Sequence, residues 1–528
     1  MSSLLHNNVV VSLGTALSRL TGLARVAVFA IVIGQTALAD AYNGANQTPN
    51  IVYELLLGGV LSASLVPLFT KQAERRDDEA TSAVVTVAVL ALTAITIVAV
   101  AAAPLIFRLY ALDVADDVAA DTYRDVGTTL SRIFLLQIFF YGLNAIATAL
   151  LHARRRYFAA AWAPVLSNLV IIGSLLLVPR AMGDRGEPTL GDVLTDQTLE
   201  WTLGLGATIG IAVMALAVLP ALRAADVHIQ FRPDFRHPAV RRLTAMSGWT
   251  LGYVVANQVA IVVVQNLAQP GSGGLDAYSK AYIFFVLPHG LLAMSVVTTF
   301  TPEMASALRR RDRDAFIDRA STGVRLVMLL TLPAAAGMFV LRRPLIGLAL
   351  QHGNFDAADA ELTSRALAGF ALGLVGFSVY LFTLRAFYSH EDARTPFVLN
   401  AFENAINIVL AIALVGRFGV LGLAAAFAIA YTVSAIWGLQ VLGYKVAGFS
   451  PRAIVRALWP MTVAALVMAE VMWAAARLVG DNDGWGALAR TSVAGTIGLA
   501  VYVAMLVVLR VPDVDRVRAR LRSRFARA

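Results

Sequence analysis

The stretch that decides the fold is DAYSKAYIFFVLPHGLLAMSVVTTFTP, residues 276–302. After its opening aspartate it holds a single charged side chain, Lys280, and it exceeds the roughly 20 apolar residues that cross the hydrocarbon core of a bilayer. Stretches of the same kind recur along the chain, and we place fourteen of them. These predicted helices 1 to 14 lie near residues 9–34, 43–70, 81–107, 126–151, 157–179, 199–222, 243–267, 277–307, 320–341, 365–388, 395–415, 419–443, 457–479 and 488–509. The sequence therefore predicts an all-α polytopic membrane protein with about fourteen transmembrane helices.

Composition supports a bilayer as the solvent of this chain. Of its 528 residues, 58% are hydrophobic and 15% are charged, whereas soluble domains carry roughly 25% charged residues. The absence of cysteine excludes disulfides and thiolate metal sites. The sequence has no Gly-rich phosphate loop, no HExxH motif and no cluster of histidines and acids at metal-ligand spacing. We therefore predict no enzyme activity, no bound cofactor and no metal.

The charges of the loops predict the orientation in the membrane. If the N-terminus is cytoplasmic, the loops on the same side contain 27 of the 43 Lys and Arg residues, and the loops on the other side contain 7. Cytoplasmic loops normally carry such an excess of basic residues. The excess is thus explained by topology, without nucleic acid as a partner. We therefore predict that both termini lie in the cytoplasm.

Short motifs repeat in order along the chain at separations of 233 to 240 residues. The pairs are DAY at 40–42 and 276–278, RRD at 75–77 and 310–312, PLI at 104–106 and 344–346, and SR at 131–132 and 364–365. Six helices per repeat make the two halves parallel, which is a transporter architecture. The predicted segments are an N-lobe (1–231, helices 1–6), a C-lobe (232–445, helices 7–12), a helix pair without a repeat partner (446–511) and a basic cytoplasmic tail (512–528).

Charged side chains within the spans are the candidate binding residues, because burying them in lipid is costly unless they face a cavity or a partner. Arg19 and Arg25 lie six residues apart in helix 1, about 120° apart on a straight helix. A bend at Gly22 would turn both toward one cavity. Arginine suits phosphate because its planar fork of donors stays charged. Glu54 in helix 2 and Lys280 in helix 8 are further candidates, and snorkelling of the arginines or an ion pair with Glu54 is the alternative.

Helix 11 carries a polar stripe at helical spacing. Asn400, Glu403, Asn404 and Asn407 share one face of this helix. A buried carboxylate with amide oxygens can bind Na⁺ or accept a proton, so Asn400, Glu403 and Asn404 form a candidate cation site. The alternative is that these side chains form hydrogen bonds between neighbouring helices.

Five longer motifs carry a family resemblance. They are SRLTGLAR at 18–25, DAY at 40–42, GGVLSASLVP at 58–67, QHGNFDAAD at 351–359 and FYSHEDARTP at 387–396. Together they resemble the MurJ/MviN lipid II flippases of the MOP exporter superfamily, in the version found in GC-rich Gram-positive bacteria. That superfamily also includes the MATE antiporters and polysaccharide flippases.

The resemblance implies a V-shaped pair of lobes around a cationic cavity, which moves the peptidoglycan precursor lipid II from the inner to the outer leaflet. Arg19 and Arg25 match the family arginines that hold the pyrophosphate, and Asp40 matches the family's acidic residue before helix 2. The helix pair 446–511 would form a groove for the lipid tail. The implied partners are lipid II, membrane lipids and proteins of cell-wall synthesis and division. The implied energy source is Na⁺, H⁺ or the membrane potential. The implied location is the bacterial cytoplasmic (inner) membrane, with multiple passes.

The sequence also departs from the family pattern. Tyr53 and Glu54 stand where many members have arginine, and Lys280 is the nearest basic residue to another missing arginine. Three alternatives therefore stay open. They are a flippase for another lipid-linked polysaccharide, a MATE-like ion-coupled drug exporter, and a membrane scaffold that transports nothing.

Overall fold

The structure of the chain is a computed structural model that describes the backbone of residues 2–55, 65–75, 77–241 and 248–514. Throughout these residues the regular secondary structure is helical. The first eleven helices are α1 (Ser2–Ile33), α2 (Ala37–Leu55), α3 (Val66–Arg75), α4 (Asp78–Ala101), α5 (Ala103–Tyr110), α6 (Ala120–Phe134), α7 (Gln137–Ala153), α8 (Phe158–Leu175), α9 (Val178–Met182), α10 (Leu190–Thr195) and α11 (Gln197–Ala224). The remaining helices are α12 (Gly248–Leu267), α13 (Gly274–Pro288), α14 (Met294–Arg309), α15 (Arg313–Leu350), α16 (Ala357–Ser389), α17 (Arg394–Phe418), α18 (Val420–Lys445), α19 (Pro451–Leu478) and α20 (Gly484–Val508).

Twelve segments within the described ranges are helical, long enough and apolar enough to cross a membrane. The prediction of an all-α polytopic membrane protein is therefore confirmed. The predicted second and seventh spans fall on α2–α3 and α12, next to residues 56–64 and 242–247, which lie outside the described part of the chain. The count of fourteen spans accordingly stays a prediction.

The helices form two compact units. The first contains Met1–Asp276 together with His352–Phe355, and the second contains Ala277–Gln351 and Asp356–Ala528. Each unit has its own buried core of apolar side chains. The four sequence segments proposed above remain predictions, and residues 515–528 of the predicted tail lie outside the described residues.

Several predicted spans are interrupted where the sequence weakens regular α-helical hydrogen bonding. The third span divides at Ala102 into α4 and α5, just before Pro104, which lacks a backbone donor. The eighth span contains one π-helical turn, His289–Ala293, directly after Pro288. Such turns are frequent at functional sites in helices.

The sequence repeat is also a repeat of contacts. Asp77 accepts a hydrogen bond from the backbone N–H of Ala80 at 2.9 Å and caps α4, and Asp312 accepts the same bond from Ala315 at 2.9 Å and caps α15. Each carboxylate satisfies a donor that the first turn of its helix leaves unpaired. The two caps are separated by the same interval as the RRD motifs that contain them.

Aromatic pairs recur in the same way. The rings of Tyr42 and Phe134 lie 4.9 Å apart, and those of Tyr278 and Phe370 lie 4.8 Å apart. Both residues of the second pair lie 236 positions after those of the first. The DAY motifs therefore mark equivalent positions in two similarly packed parts of the chain.

Small residues bring α16 and α18 into close contact. A methyl group added to Gly373 would lie 2.6 Å from the Cα atom of Ala428, and one added to Gly376 would lie 2.6 Å from that of Thr432. In membranes, where lipid is as apolar as the side chains, helices associate through such close backbone packing. By contrast, a methyl group added to Gly495 on α20 would meet no atom within 4 Å.

We predict that substitution by alanine has opposite effects on stability at Gly373 and at Gly495. Gly373→Ala forces the backbones of α16 and α18 apart and should lower the free energy of unfolding by about 1–3 kcal/mol, the usual cost of overpacking. Gly495→Ala should raise it by up to about 1 kcal/mol, because alanine is the better helix former. Thermal unfolding of both variants in the same lipid nanodiscs checks this, and equal melting temperatures would contradict the close contact.

Candidate functional site

The two arginines of α1 occupy different environments. Arg19 is exposed and Arg25 is half-buried, and no described residue forms an ion pair with either side chain. The guanidinium of Arg25 lies close enough to the hydroxyl of Tyr42 to interact with it electrostatically. Helix α1 runs without interruption through Gly22, so the structure shows no helix break at that glycine.

The segment around Arg19 is held by α8. The side-chain amide of Asn168 donates to the carbonyl of Ser18 at 3.2 Å and to the hydroxyl of Thr21 at 3.0 Å. The hydroxyl of Thr21 in turn donates to the carbonyl of Leu17 at 2.9 Å. Asn168 thus holds α1 against α8 on both sides of Arg19. The sequence reasoning did not single out Asn168, whose only signal was a lone amide in an apolar span.

Asp40 is completely buried and accepts three backbone hydrogen bonds. Its Oδ2 atom accepts from Gly271 and Gly273, each at 2.9 Å, and its Oδ1 atom accepts from Asp276 at 2.7 Å. Gly273 has φ of +77°, and a methyl group there would lie 2.6 Å from the carbonyl oxygen of Gln35. This position therefore requires glycine. In this conformation Asp40 closes the turn before α13 and has no surface left for a ligand.

The second DAY motif takes part in the same arrangement. The side-chain amide of Asn43 donates to Oδ1 of Asp276 at 2.8 Å, and Asp276, like Asp40, has no exposed surface. The two aspartates of the repeat thus lie beside each other, one accepting the backbone N–H of the other.

The QHGNFD motif covers the carboxyl end of α1. The backbone N–H of Asn354 donates to the carbonyl of Ile31 at 2.9 Å, and its side-chain amide donates to the carbonyl of Val32 at 2.8 Å. Carbonyls in the last turn of a helix have no partner within the helix. Asn354 supplies that partner, a role that the motif alone did not reveal.

Of the two remaining predicted binding residues, the structure describes the side chain of Lys280 but not that of Glu54. Lys280 lies in α13 with 2% of its surface exposed, inside the second unit. Glu54 belongs to the last turn of α2, where the side chains fall outside the described part of the structure.

The polar stripe of helix 11 is buried on α17. Asn400, Glu403 and Asn404 are 0%, 1% and 7% exposed. The amide of Asn404 donates to the carbonyl of Asn400 at 2.9 Å, whereas no described residue donates a hydrogen bond to Oε1 of Glu403. A buried carboxylate oxygen without a donor is costly, which is the property of a site that takes a proton or a cation. No group of three or more His, Cys, Asp or Glu in the described ranges is arranged to hold a metal ion.

The FYSHEDARTP motif forms a fixed turn between α16 and α17. Asp392 accepts hydrogen bonds from the ammonium of Lys445 at 2.6 Å and from the hydroxyl of Thr395 at 2.7 Å. Partial burial opposes ionisation of Asp392, but these bonds outweigh it and lower the pKa of the carboxyl to about 2. The motif therefore joins the ends of three helices through an ion pair that persists at neutral pH.

Similarity to known proteins identifies the family. The family model described as lipid II flippase MurJ matches residues 29–493. The chain belongs to the lipid II flippase MurJ family. The probable lipid II flippase MurJ of Rhizobium meliloti (strain 1021) is 28% identical over 466 residues, covering 87% of this chain and 84% of the relative. That of Vibrio cholerae serotype O1 is 26% identical over 531 residues, covering 96% of each chain.

Solved structures show the same fold. A lipid II flippase MurJ in an inward closed conformation superposes with a TM-score of 0.77 at 23% identity, covering 95% of this chain and 99% of that one. An inward-facing multidrug resistance MATE transporter of the MOP superfamily superposes with a TM-score of 0.64 at 15% identity, covering 82% and 95%. The predicted family is confirmed by the family model, and these solved structures share the fold.

We predict that Asp40→Ala destabilises the protein by at least about 2 kcal/mol. The substitution leaves the three backbone N–H groups without their acceptor, and each buried unpaired donor costs about 1–3 kcal/mol. Asp40→Asn keeps one acceptor oxygen and should lose less. Thermal unfolding in nanodiscs checks the order, with the exposed Asp184→Ala as the control. If Asp40→Ala unfolds at the temperature of Asp184→Ala, the carboxylate does not hold this turn.

Proposed function

We propose that this chain moves lipid II from the cytoplasmic to the outer leaflet by alternating access. Membership of the MurJ family is the observation that carries the proposal, together with two arginines inside the first span that have no acid partner among the described residues. A sugar-linked pyrophosphate must be shielded from hydrocarbon while it crosses, and its polyprenyl tail can stay in lipid. Transport of this kind makes and breaks no covalent bond.

The proposed substrate contacts follow from charge. Arg19 and Arg25 bind the pyrophosphate through charge-assisted hydrogen bonds, which are stronger than neutral ones. Lys280 adds a third positive charge, and Glu54 sets the position of a basic group or of the sugar. Asp40 acts by positioning the start of α2. The helix pair of residues 446–511 holds the lipid tail.

The proposed energy source is an electrochemical gradient. Each elementary charge that crosses the membrane field gains about 2.3 kcal/mol per 100 mV. Glu403, with Asn400 and Asn404 beside it, is the proposed site for the coupling H⁺ or Na⁺, because it is a buried carboxylate with an oxygen that no described donor reaches.

The proposed setting is the bacterial cytoplasmic membrane, with both termini in the cytoplasm. The excess of Lys and Arg in alternate loops supports this orientation. Lipid II, the surrounding lipids and proteins of cell-wall synthesis and division are the proposed partners.

Transport of a different lipid-linked polysaccharide is the second candidate function. Tyr53 and Glu54 occupy positions where many family members have arginine, and this difference in charge would suit another headgroup. Competition between lipid II and other polyprenyl-linked sugars for the reconstituted protein distinguishes the two candidates.

We predict that Arg19→Ala and Arg25→Ala each slow lipid II translocation at least about tenfold. A hydrogen bond to a charged group contributes about 1.5–3 kcal/mol, and each 1.4 kcal/mol is a factor of ten. The measurement is the rate at which labelled lipid II reaches the outer leaflet of proteoliposomes. Arg417→Ala is the matched control, because Arg417 is exposed at the end of α17. Unchanged rates in both helix-1 variants would refute the proposed role of the arginines.

We predict that Glu403→Gln abolishes the dependence of translocation on pH or Na⁺. Glutamine keeps the shape of the side chain but neither binds a proton nor carries the charge that attracts a cation. Rates are compared across a series of pH values and Na⁺ concentrations, with Glu470→Gln, exposed on α19, as the control. A variant that responds to both ions as the wild type does would eliminate Glu403 as the coupling site.

A further inference from the structure

Residues 225–236, here called the connector, follow α11 and are fastened to the beginning of α4. The backbone N–H of Gln230 donates to the hydroxyl of Ser82 at 3.1 Å, and the hydroxyl of Thr86 donates to the carbonyl of Gln230 at 3.3 Å. The backbone N–H of Arg232 donates to Thr86 at 3.0 Å, and its guanidinium pairs with Glu79. The connector thus has a defined position against a membrane-spanning helix.

The connector occupies a place that lipid would otherwise fill. All seven residues from 80 to 86 of α4 are buried. A helical turn holds 3.6 residues, so a run of seven leaves no side of the helix open. Farther along, Ile95, Ile97 and Val98 are 53%, 64% and 67% exposed, as expected of a helix that faces lipid. The outer face of the connector therefore lies where lipid meets α4 elsewhere.

The contact lies near the boundary between headgroups and acyl chains. Helix α4 begins at Asp78 and contains 24 residues, about 36 Å at 1.5 Å per residue, against a hydrocarbon core of about 30 Å. Ser82 and Thr86 lie about 6 and 12 Å from the start of this helix. Both residues thus lie in the first three turns of α4, at the end of the helix that borders the headgroups of one leaflet.

The side chains on the connector suit that layer. Ile229, Phe231 and Phe235 are 43%, 77% and 60% exposed. Exposure of three large apolar side chains within seven residues is unfavourable in water and marks an interaction surface. Each of the two phenylalanines is followed directly in the sequence by an exposed arginine, Arg232 or Arg236. Apolar rings combined with basic side chains are typical of segments that lie in the membrane interface.

We propose that the connector is a lipid-binding surface. Phe231 and Phe235 enter the boundary between headgroups and acyl chains of the leaflet around the amino-terminal end of α4, and Arg236 binds the phosphate of an anionic phospholipid. The guanidinium fork matches phosphate oxygens, and the hydrogen bonds to Ser82 and Thr86 hold the segment at the required depth.

The natural absence of cysteine allows a direct test by site-directed spin labelling. Phe231→Cys and Phe235→Cys are labelled in nanodiscs, and label depth is measured from collisions with oxygen and with a water-soluble nickel chelate. Ile97→Cys serves as the immersed reference and the exposed Asp184→Cys as the aqueous one. Both connector labels should be several-fold more accessible to oxygen than the label at 184. If both match the label at 184, the connector faces water or a protein partner and the proposal fails.

The role of anionic lipid is tested with the same labels. Replacing phosphatidylcholine with a mixture containing phosphatidylglycerol should deepen both labels at low salt, and high salt should reduce this effect by screening. Arg236→Gln should remove most of it. Thr86→Val, which deletes the hydroxyl, should increase label mobility while the protein stays folded by its melting temperature. Equal depths in both lipids at low salt would overturn the binding of anionic phospholipid.

Discussion

The structure of the first unit depends on one buried carboxylate. Asp40 has no exposed surface, and a buried carboxylate is costly unless its oxygens accept hydrogen bonds. Its oxygens accept hydrogen bonds from the backbone N–H groups of Gly271, Gly273 and Asp276. The same bonds satisfy donors that a turn within a membrane protein cannot give to water. One side chain thereby fixes the start of α2 and the turn before α13, and with them the region in which α1 ends.

Repetition explains how so long a chain is stabilised by few types of contact. The aspartate caps at residues 77 and 312 and the tyrosine–phenylalanine pairs at 42–134 and 278–370 occur at equivalent positions. Contacts of this kind are local to one helix or one helix pair, so each repeat can use them independently. Close packing between helices supplies further contacts. At Gly373 and Gly376, for example, the backbone of α16 lies directly against the backbone of α18.

The sequence was informative wherever one residue type or one spacing decides the outcome. Apolar runs of spanning length predicted the membrane fold, the DAY and RRD motifs predicted the repeat, and five longer motifs predicted the family. The sequence could not reveal the partners of Asp40, because they are backbone N–H groups more than 230 residues away and any residue type supplies such a donor. Nor could it show that Asn168 holds α1 or that Asn354 covers its end, since a single amide has no periodicity. The position of the connector was hidden for the same reason, because Ser82 and Thr86 look like ordinary residues of an apolar helix.

The central claim is that Arg19 and Arg25 form the binding site for a lipid-linked pyrophosphate. The most direct measurement is an experimental structure of the chain in nanodiscs with lipid II bound. The account predicts pyrophosphate density within salt-bridge distance of both guanidinium groups, with the polyprenyl tail leaving toward the lipid. Pyrophosphate density at a site that touches neither arginine would contradict it.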